Sequence, residues 1–140
     1  RCLTCDVVAA DVADGSRVIA RGRNLVAYAP YASRFAYEVW IAPVAHPAVA
    51  FADSTTATDV ELATLIHDVV GRVRRTLDDP AMNWVLHAGP GPSADAPDHW
   101  RFEILPRTSR IGGFELGTGV FVNSVAPEDA AARLRAPPRE

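Results

Sequence analysis

The sequence predicts an α+β domain with a mainly antiparallel sheet. Short apolar or alternating segments bounded by Gly, Pro and Asp lie towards both ends of the chain, which is typical of strands. Between them lies one long segment with apolar residues at helical spacing, and a short helical segment follows the last strands. Because 140 residues is the usual length of one domain, we treat residues 1–140 as a single unit.

We expect the first part of the chain to be antiparallel sheet. Residues 5–10 and 18–20 flank Asp14-Gly15-Ser16, which is the pattern of a hairpin around an Asp-Gly turn. Residues 24–29 and 37–42 are two further predicted strands, each followed by a proline.

The middle of the chain predicts one long amphipathic helix. A capping-box pattern at 58–61 begins it, and Asp78-Asp79-Pro80 ends it. Arg72, Arg74 and Arg75 lie off the apolar side near the C-terminal end, and we interpret them as a solvated face rather than a binding patch. The apolar residues that share one side are Leu62, Leu65, Ile66, Val69, Val70, Val73 and Leu77.

The second half predicts strands at 83–87 and 99–107, separated by a loop at 89–97. The glycines within 112–119 indicate tight turns or close backbone approach. A short final helix begins at Pro127, where a proline in the first turn is favoured.

The predicted strand at 99–107 places three polar side chains on one face. With period two, His99, Arg101 and Glu103 point to one side, and the apolar residues between them point to the other. One interpretation is the solvated face of an edge strand, and the other is a site at which the three side chains converge.

Composition argues against several classes of protein. The net charge of −3 and the pI of about 5.8 do not suggest a nucleic-acid-binding protein, which would need a basic patch. No apolar segment approaches the roughly 20 residues of a membrane helix, and no signal peptide is visible. We therefore expect a cytoplasmic protein with no nucleic-acid or membrane partner. In that setting, Cys2 and Cys5 indicate metal or redox chemistry more than a structural disulfide.

Several motifs resemble the second half of bacterial galactose-1-phosphate uridylyltransferases, which belong to the histidine-triad superfamily. They are the Cys-x-x-Cys pair, Pro30-Tyr31-Ala32-Ser33-Arg34-Phe35, Glu38-Val39-Trp40-Ile41-Ala42-Pro43, Asn83-Trp84-Val85-Leu86-His87, the segment from His99 to Arg107, Gly113-Phe114-Glu115-Leu116-Gly117-Thr118-Gly119, and the segment from Ala126 to Arg135. The family has two similar domains, and the resemblance implies that this chain is a histidine-triad-like domain of the C-terminal type.

The resemblance also implies a structural zinc site. Its positions in the superfamily correspond here to Cys2, Cys5, His46 and His99. Two thiolates and two imidazoles are a closed tetrahedral set that zinc prefers. The alternative is two free thiols and two unrelated histidines.

The strand at 99–107 departs from the superfamily at its central position. Where a histidine-triad protein reads His-x-His-x-His, this chain has His99, Arg101 and Glu103, and the middle histidine of that pattern is the nucleophile. A guanidinium stays protonated and offers no lone pair, so we predict no catalytic residue in this chain. Arg101 either contacts a phosphate or forms an exposed ion pair with Glu103 that contributes about 0–1 kcal/mol.

Further ligand contacts follow from the resemblance. His87 resembles a metal-binding histidine of the family's second domain, but arginine at 101 replaces a ligand there, so we expect that second metal site to be absent. Phe114, Leu116 and Thr118 match positions that contact the hexose phosphate from the neighbouring subunit. The candidate substrate- or phosphate-binding residues are His87, Arg101, Glu103, Phe114, Leu116 and Thr118.

The resemblance implies a role in exchange of UMP between UDP-glucose and galactose 1-phosphate. We predict the C-terminal domain, or a separately encoded half, of such a uridylyltransferase, inactive alone and completed by an N-terminal half or a homodimer partner. One alternative is a non-catalytic histidine-triad-like module that binds a nucleotide or a protein. A stand-alone nucleotide hydrolase is the other, and Arg101 argues against it.

Overall fold

A computed structural model describes residues 2–89 and 98–137, and these form an α+β domain with a five-stranded antiparallel sheet, as predicted. The strand order across the sheet is β1-β2-β3-β5-β4. The strands are β1 Val18–Arg21, β2 Leu25–Tyr28, β3 Val39–Pro43, β4 Met82–His87 and β5 Arg101–Pro106. The α-helices are α1 Leu3–Asp14, α2 Thr56–Leu77, α3 Gly113–Thr118 and α4 Pro127–Arg135, with a 3-10 turn at Phe51–Asp53.

The main core lies between α2 and one face of the sheet. Four residues of the predicted apolar side of α2 are buried, while Ile66, Val70 and Leu77 pack at its margin. This confirms the helical periodicity, because burial of one apolar side is what holds such a helix on a sheet. The α4 helix adds Leu134 to the same core. The buried residues of α2 are Leu62, Leu65, Val69 and Val73.

The opposite face of the sheet is covered by α1, where a strand was expected. Residues 5–10 are helical, so the predicted hairpin is wrong. Val8 and Val12 are four residues apart, so they lie on the same side of the helix, and both pack on the sheet. Gly15 has φ 75° and ends the helix as a left-handed cap instead of forming a hairpin turn.

The start of α2 also differs from the prediction. The cap is Thr55, whose side-chain oxygen accepts a hydrogen bond from the backbone N–H of Thr58 at 3.2 Å. The carboxylate of Glu61 instead accepts hydrogen bonds from the backbone N–H groups of Asn24 (2.7 Å) and Leu25 (2.9 Å), which fixes the start of β2 against α2. The predicted end is confirmed, since Asp78 is a left-handed cap with φ 58°.

The strand that carries Arg101 is not at the edge of the sheet. β5 pairs with β3 on one side and with β4 on the other, and Glu103 lies opposite both Trp40 and Val85. Glu103 is 1% exposed, so the interpretation of a solvated polar face is wrong for this residue. The edge position belongs to β4, whose residues are half-buried or exposed along its whole length.

The glycine-rich segment after β5 is a short helix. Gly112 caps the start of α3, and Gly119 ends it in a left-handed conformation with φ 71°, so the expected tight turn occurs at Gly119. The final helix begins at Pro127 as predicted. Most of the loop expected at 89–97 lies outside the described residues. Among the described helices, none is both long and apolar enough to cross a bilayer.

Candidate metal centre and carboxylate cluster

Two cysteines and two histidines from distant parts of the chain meet at one end of the sheet. Cys2 and Cys5 lie at the start of α1, His46 follows β3, and His99 precedes β5. One ligand atom from each residue lies within 4.8 Å of all the others. The structure therefore brings together all four residues that the sequence named as a metal site.

The distances in this cluster fit a tetrahedral metal ion. His99 Nδ1 lies 3.2 Å from Cys5 Sγ and 3.8 Å from Cys2 Sγ, and His46 Nδ1 lies 3.4 Å from Cys5 Sγ. Ligand atoms around a tetrahedral zinc ion are about 3.3–3.8 Å apart, given the usual Zn–S and Zn–N bond lengths. Both cysteines are free thiols, so no disulfide competes for the sulfur atoms.

The hydrogen bond of His99 orients its ring for ligation. His99 is buried, and its Nε2 donates to the backbone oxygen of Pro43 at 2.8 Å, which leaves the Nδ1 lone pair directed at the thiols. Burial lowers the pKa of His99, although the Pro43 carbonyl opposes this effect, so the imidazole is neutral at pH 7. A neutral imidazole with one nitrogen held by a carbonyl is the form that ligates metals.

The thiol of Cys5 would also be altered by a bound cation. Burial raises the pKa of Cys5, and the neighbouring Cys2 and Asp6 raise it further. A divalent cation would counter all three effects, because it stabilises thiolate over thiol. Ionisation of the Cys5 thiol is therefore unfavourable without a metal ion and would become favourable when one is bound.

A second polar cluster surrounds Glu103 on the same strand. Its Oε1 accepts a hydrogen bond from Arg101 Nε at 2.9 Å, and its Oε2 accepts one from Arg34 Nη2 at 2.6 Å. His87 Nε2 lies 3.1 Å from Oε1 but is not in hydrogen-bond geometry, so this buried nitrogen has no hydrogen-bond partner among the described residues. The Arg101–Glu103 pair is therefore part of a buried network and not an exposed ion pair.

A second buried carboxylate, Glu38, completes this network. It accepts hydrogen bonds from the backbone N–H of Arg34 (2.7 Å) and from Trp40 Nε1 (2.8 Å), and it also contacts the Arg34 guanidinium at 3.2 Å. The guanidinium of Arg101 lies over the Trp40 ring, 4.3 Å from its centroid. These contacts form one network in which the positive charges of two arginines neutralise the negative charges of two buried carboxylates.

The sequence analysis did not identify Arg34, Glu38 or Trp40 as site residues. The available signal was an Arg and a Glu four residues apart, directly before a strongly apolar strand. A carboxylate in that position needs a partner once the strand is buried.

The network keeps Glu103 ionised. Burial alone would raise the pKa of Glu103, but the hydrogen bond from Arg101 and the charges of Arg34, His87 and Arg101 outweigh burial and hold the pKa below its usual value. Among the described residues, Arg101 forms hydrogen bonds only through Nε. Its two Nη groups remain available to an anion, and its side chain is 26% exposed.

The other predicted contact residues are split between two places. His87 ends β4 directly opposite Arg101 in the sheet register. Phe114, Leu116 and Thr118 lie on α3 and are exposed, and the Thr118 hydroxyl donates to the backbone oxygen of Phe114 at 2.8 Å. In the described part of the chain, no hydrogen bond or ion pair joins α3 to the Glu103 network.

The fold and the Cys/His cluster together define a histidine-triad-like domain. A zinc-bound histidine triad family protein from Mycobacterium smegmatis has the same fold, with a TM-score of 0.63 over 96% of this chain and 90% of that chain at 18% identity. No family model matches the chain.

The comparisons with known proteins narrow this class. ADP-glucose phosphorylase from Arabidopsis thaliana is 33% identical over 121 residues, which are 84% of this chain and 34% of that protein. Its crystal structure with bound ADP-glucose has a TM-score of 0.82 at 31% identity, over 94% of this chain and 42% of that chain. A GalT-like protein from the same plant has a TM-score of 0.83 at 30% identity, over 96% of this chain and 44% of that chain.

The chain is therefore homologous to ADP-glucose phosphorylase and GalT-like proteins, of the galactose-1-phosphate uridylyltransferase family. It has a histidine-triad-like fold. It spans about a third of the length of the curated relative and less than half of each related structure (34%, 42% and 44%).

Proposed function

We propose that this chain is the C-terminal half of a sugar-nucleotide-dependent nucleotidyltransferase, either as a domain or as a separate polypeptide. The nucleophilic histidine would lie on an N-terminal half. The observation that carries this proposal is Arg101, which occupies the nucleophile position of the triad strand in a buried pair with Glu103.

The substrate would be a nucleoside diphosphate sugar and a hexose 1-phosphate or phosphate. The family resemblance names UDP-glucose and galactose 1-phosphate, and the relative in the crystal structure binds ADP-glucose. Both nucleotides present a sugar joined to two phosphates. The free Nη groups of Arg101 are donors that suit those oxygens.

In the proposed reaction, a histidine nitrogen of the N-terminal half attacks the α-phosphorus and the sugar phosphate leaves. The acceptor, a hexose 1-phosphate or phosphate, then attacks the phosphorus of the nucleotidyl-histidine through a phosphate oxygen, and the histidine leaves and is regenerated. Arg101 would offset the negative charge on the phosphoryl oxygens in both steps. The hexose would be contacted from α3, by the exposed side chains of Phe114 and Leu116 and by the hydroxyl of Thr118.

We propose zinc as the ion of the Cys/His cluster. The S2N2 donor set, the ligand spacing and the Pro43 contact of His99 support this choice over hard cations, which prefer oxygen ligands. Zinc would tie the start of α1 to the end of β3 and to the start of β5. Its role would be structural, since all four positions are filled by protein.

The edge strand β4 supports a partner subunit or partner domain. Its apolar side chains are partly exposed, including Trp84 (55%), Val85 (36%) and Leu86 (40%), and its outer edge has no strand partner among the described residues. A long apolar edge of this kind favours pairing with another strand. An N-terminal half, or a second copy of this chain, would cover it. A cytoplasmic location remains a prediction from the sequence.

A binding module without catalysis is the second candidate, and Arg101 is the observation that favours it. The same donors would then hold a nucleotide or a partner protein without transfer chemistry. A stand-alone hydrolase would need a nucleophile that the triad strand does not contain.

One experiment separates these functions. The chain is incubated with UDP-glucose plus galactose 1-phosphate, and with ADP-glucose plus phosphate, either alone or with a candidate N-terminal half that carries the nucleophilic histidine. Turnover only with the added polypeptide supports the half-enzyme. Turnover by the chain alone contradicts it, and binding without turnover in either case supports the binding module.

A further inference from the structure

A polar cleft is lined by residues from the C-terminal halves of α2 and α4 and by Tyr37. Its volume is about 750 Å³, which is within the range of small-molecule sites. We name it the arginine cleft; its main lining residues are Tyr37, Arg72, Arg75, Thr76, Arg133 and Leu134. No acidic residue lines it in the described part of the chain.

The three arginines of the cleft are not equivalent. Arg72 is neutralised, because its Nε donates to both carboxylate oxygens of Asp68 at 3.0 Å, and its Nη1 is fixed on the Leu134 carbonyl at 3.2 Å. Arg133 donates to the Tyr37 hydroxyl at 2.8 Å, which is a neutral acceptor. Arg75 has neither a hydrogen bond nor an ion pair with any residue of 2–89 or 98–137. Two positive charges of the cleft are therefore uncompensated by described carboxylates.

The position of Arg75 differs from that of its neighbour Arg74. Arg74 is paired with Asp79 at 2.6 Å beyond the end of α2, as expected for a cation at a helix C-terminus. Arg75 instead folds back over Gly71, where an added Cβ would lie 3.2 Å from Nη1. The absence of a side chain at Gly71 thus gives the guanidinium room to line the cleft. Arg74 and Arg75 are both exposed, as predicted for a solvated face, and Arg75 also lines the cleft.

The tyrosine that holds Arg133 is in an unusual backbone conformation. Tyr37 has φ 61°, in the left-handed region that bulky side chains rarely adopt, and it is 7% exposed. Such a conformation persists only where its surroundings enforce it, and it is most common at functional sites. Here the conformation is associated with a hydroxyl that fixes one guanidinium at the cleft.

We propose that the arginine cleft binds a small ligand with a doubly charged phosphate or diphosphate group. Two guanidiniums without carboxylate partners match two negative charges, and guanidinium forks suit phosphate oxygens. The cleft is larger than one phosphate requires, so it has room for the organic part of a phosphate ester. This site is separate from the Glu103 network and does not depend on the proposed nucleotidyl transfer.

The test is titration of the full 140-residue chain with pyrophosphate and with glucose 1-phosphate, followed by calorimetry at fixed ionic strength. Arg75→Gln is the main variant, because Arg75 contacts no described partner whose loss would unfold the domain. Arg74→Gln is the matched control with the same charge change on the same helix. Arg101→Gln removes the other expected phosphate contact.

We expect saturable binding that Arg75→Gln weakens at least about tenfold, the loss of one charge-assisted hydrogen bond, and that the control Arg74→Gln preserves. In Arg101→Gln, the part of the binding that depends on Arg75 should persist. Preference for pyrophosphate or for the ester distinguishes a free phosphate ligand from an esterified one, and either supports the cleft. No saturable binding, or equal weakening by Arg74→Gln and Arg75→Gln, would overturn the proposal. Loss of all binding in Arg101→Gln alone would also overturn it, and would place the phosphate at the Glu103 network.

Discussion

Arg101 donates its Nε–H to the buried carboxylate of Glu103 at 2.9 Å. The family resemblance assigns the position of Arg101 to the nucleophile of a histidine-triad protein. The guanidinium is held in place by this contact and by the Trp40 ring beneath it, 4.3 Å from the ring centroid. A partly exposed guanidinium can bind anions but cannot accept a nucleotidyl group. The contact between Arg101 and Glu103 therefore favours a role for β5 in binding and not in nucleophilic catalysis.

Substitution of Glu103 should destabilise the domain strongly. Glu103→Gln removes the buried carboxylate that Arg34 and Arg101 share, but the two arginine side chains are 40% and 26% exposed, so we expect a loss of about 1.5–3 kcal/mol. The free energy of unfolding in urea measures the loss. Glu115→Gln is the control, because Glu115 only caps the short helix α3 and should lose less than about 1 kcal/mol. Equal losses in the two variants would argue against the network.

Substitution of Arg101 should affect ligand affinity more than metal content. Arg101→Gln removes the free Nη donors, so affinity for ADP-glucose or UDP-glucose should fall about tenfold or more. The Cys/His cluster shares no contact with Arg101, so bound zinc should not change. Arg107→Gln, an exposed arginine just beyond β5, is the matched control. If Arg107→Gln weakened binding of the sugar nucleotide equally, the overall positive charge of the protein, and not a specific site at Arg101, would explain the binding.

Stability should fall at acid pH because of Glu103 and Glu61. Burial opposes ionisation of both side chains. At Glu103 a hydrogen bond and nearby cations outweigh burial, and at Glu61 hydrogen bonds from backbone N–H groups do so. The pKa of each is therefore below its unfolded value of about 4.3. Their stabilisation is present above that value and is lost as the pH falls through the lower folded pKa. Unfolding free energies measured from pH 6 to pH 2.5 should show this loss, and a smaller one in Glu103→Gln. An unchanged slope in the variant would contradict the assignment.

Loss of the metal should loosen the whole domain. His46→Asn removes one ligand of the cluster, so bound zinc and the melting temperature should both fall, whereas His67→Asn, an exposed histidine on α2, should change neither. A loss of about 1 kcal/mol lowers the melting temperature of a domain this size by roughly 2–8 °C. Metal analysis and thermal unfolding of the two variants make the comparison. Zinc below one equivalent in the unaltered protein, with identical melting of both variants, would contradict a structural zinc site.

The sequence could predict those elements whose residue pattern fits only one type of secondary structure. The apolar side of α2 spans several helical turns, and β3 and β5 are apolar segments closed by proline, so their assignments are confirmed. The segment that became α1 is short and rich in alanine and valine, and its periodicity suits a strand as well as a helix. Packing of Val8 on the sheet decided between them, and such long-range packing is not visible in a short window.

The candidate site shows the same division. Cys2, Cys5, His46 and His99 could be named because their residue types are rare and their positions match a known pattern. The burial of Glu103 could not be predicted, because it depends on Arg34, which is 69 residues earlier in the chain. A period-two pattern reports which face a side chain occupies, but not whether another strand and a distant guanidinium enclose that face.

Mass spectrometry of the intact chain tests the central claim most directly. The protein is incubated with UDP-glucose and, separately, with ADP-glucose, and is then examined for a covalent nucleotidyl adduct at neutral or alkaline pH, where phosphohistidine-type bonds persist. Because Arg101 occupies the nucleophile position, we expect bound nucleotide but no adduct on any of the four histidines. A uridylyl or adenylyl group on His46, His87 or His99 would contradict the account, since the chain would then contain its own nucleophile.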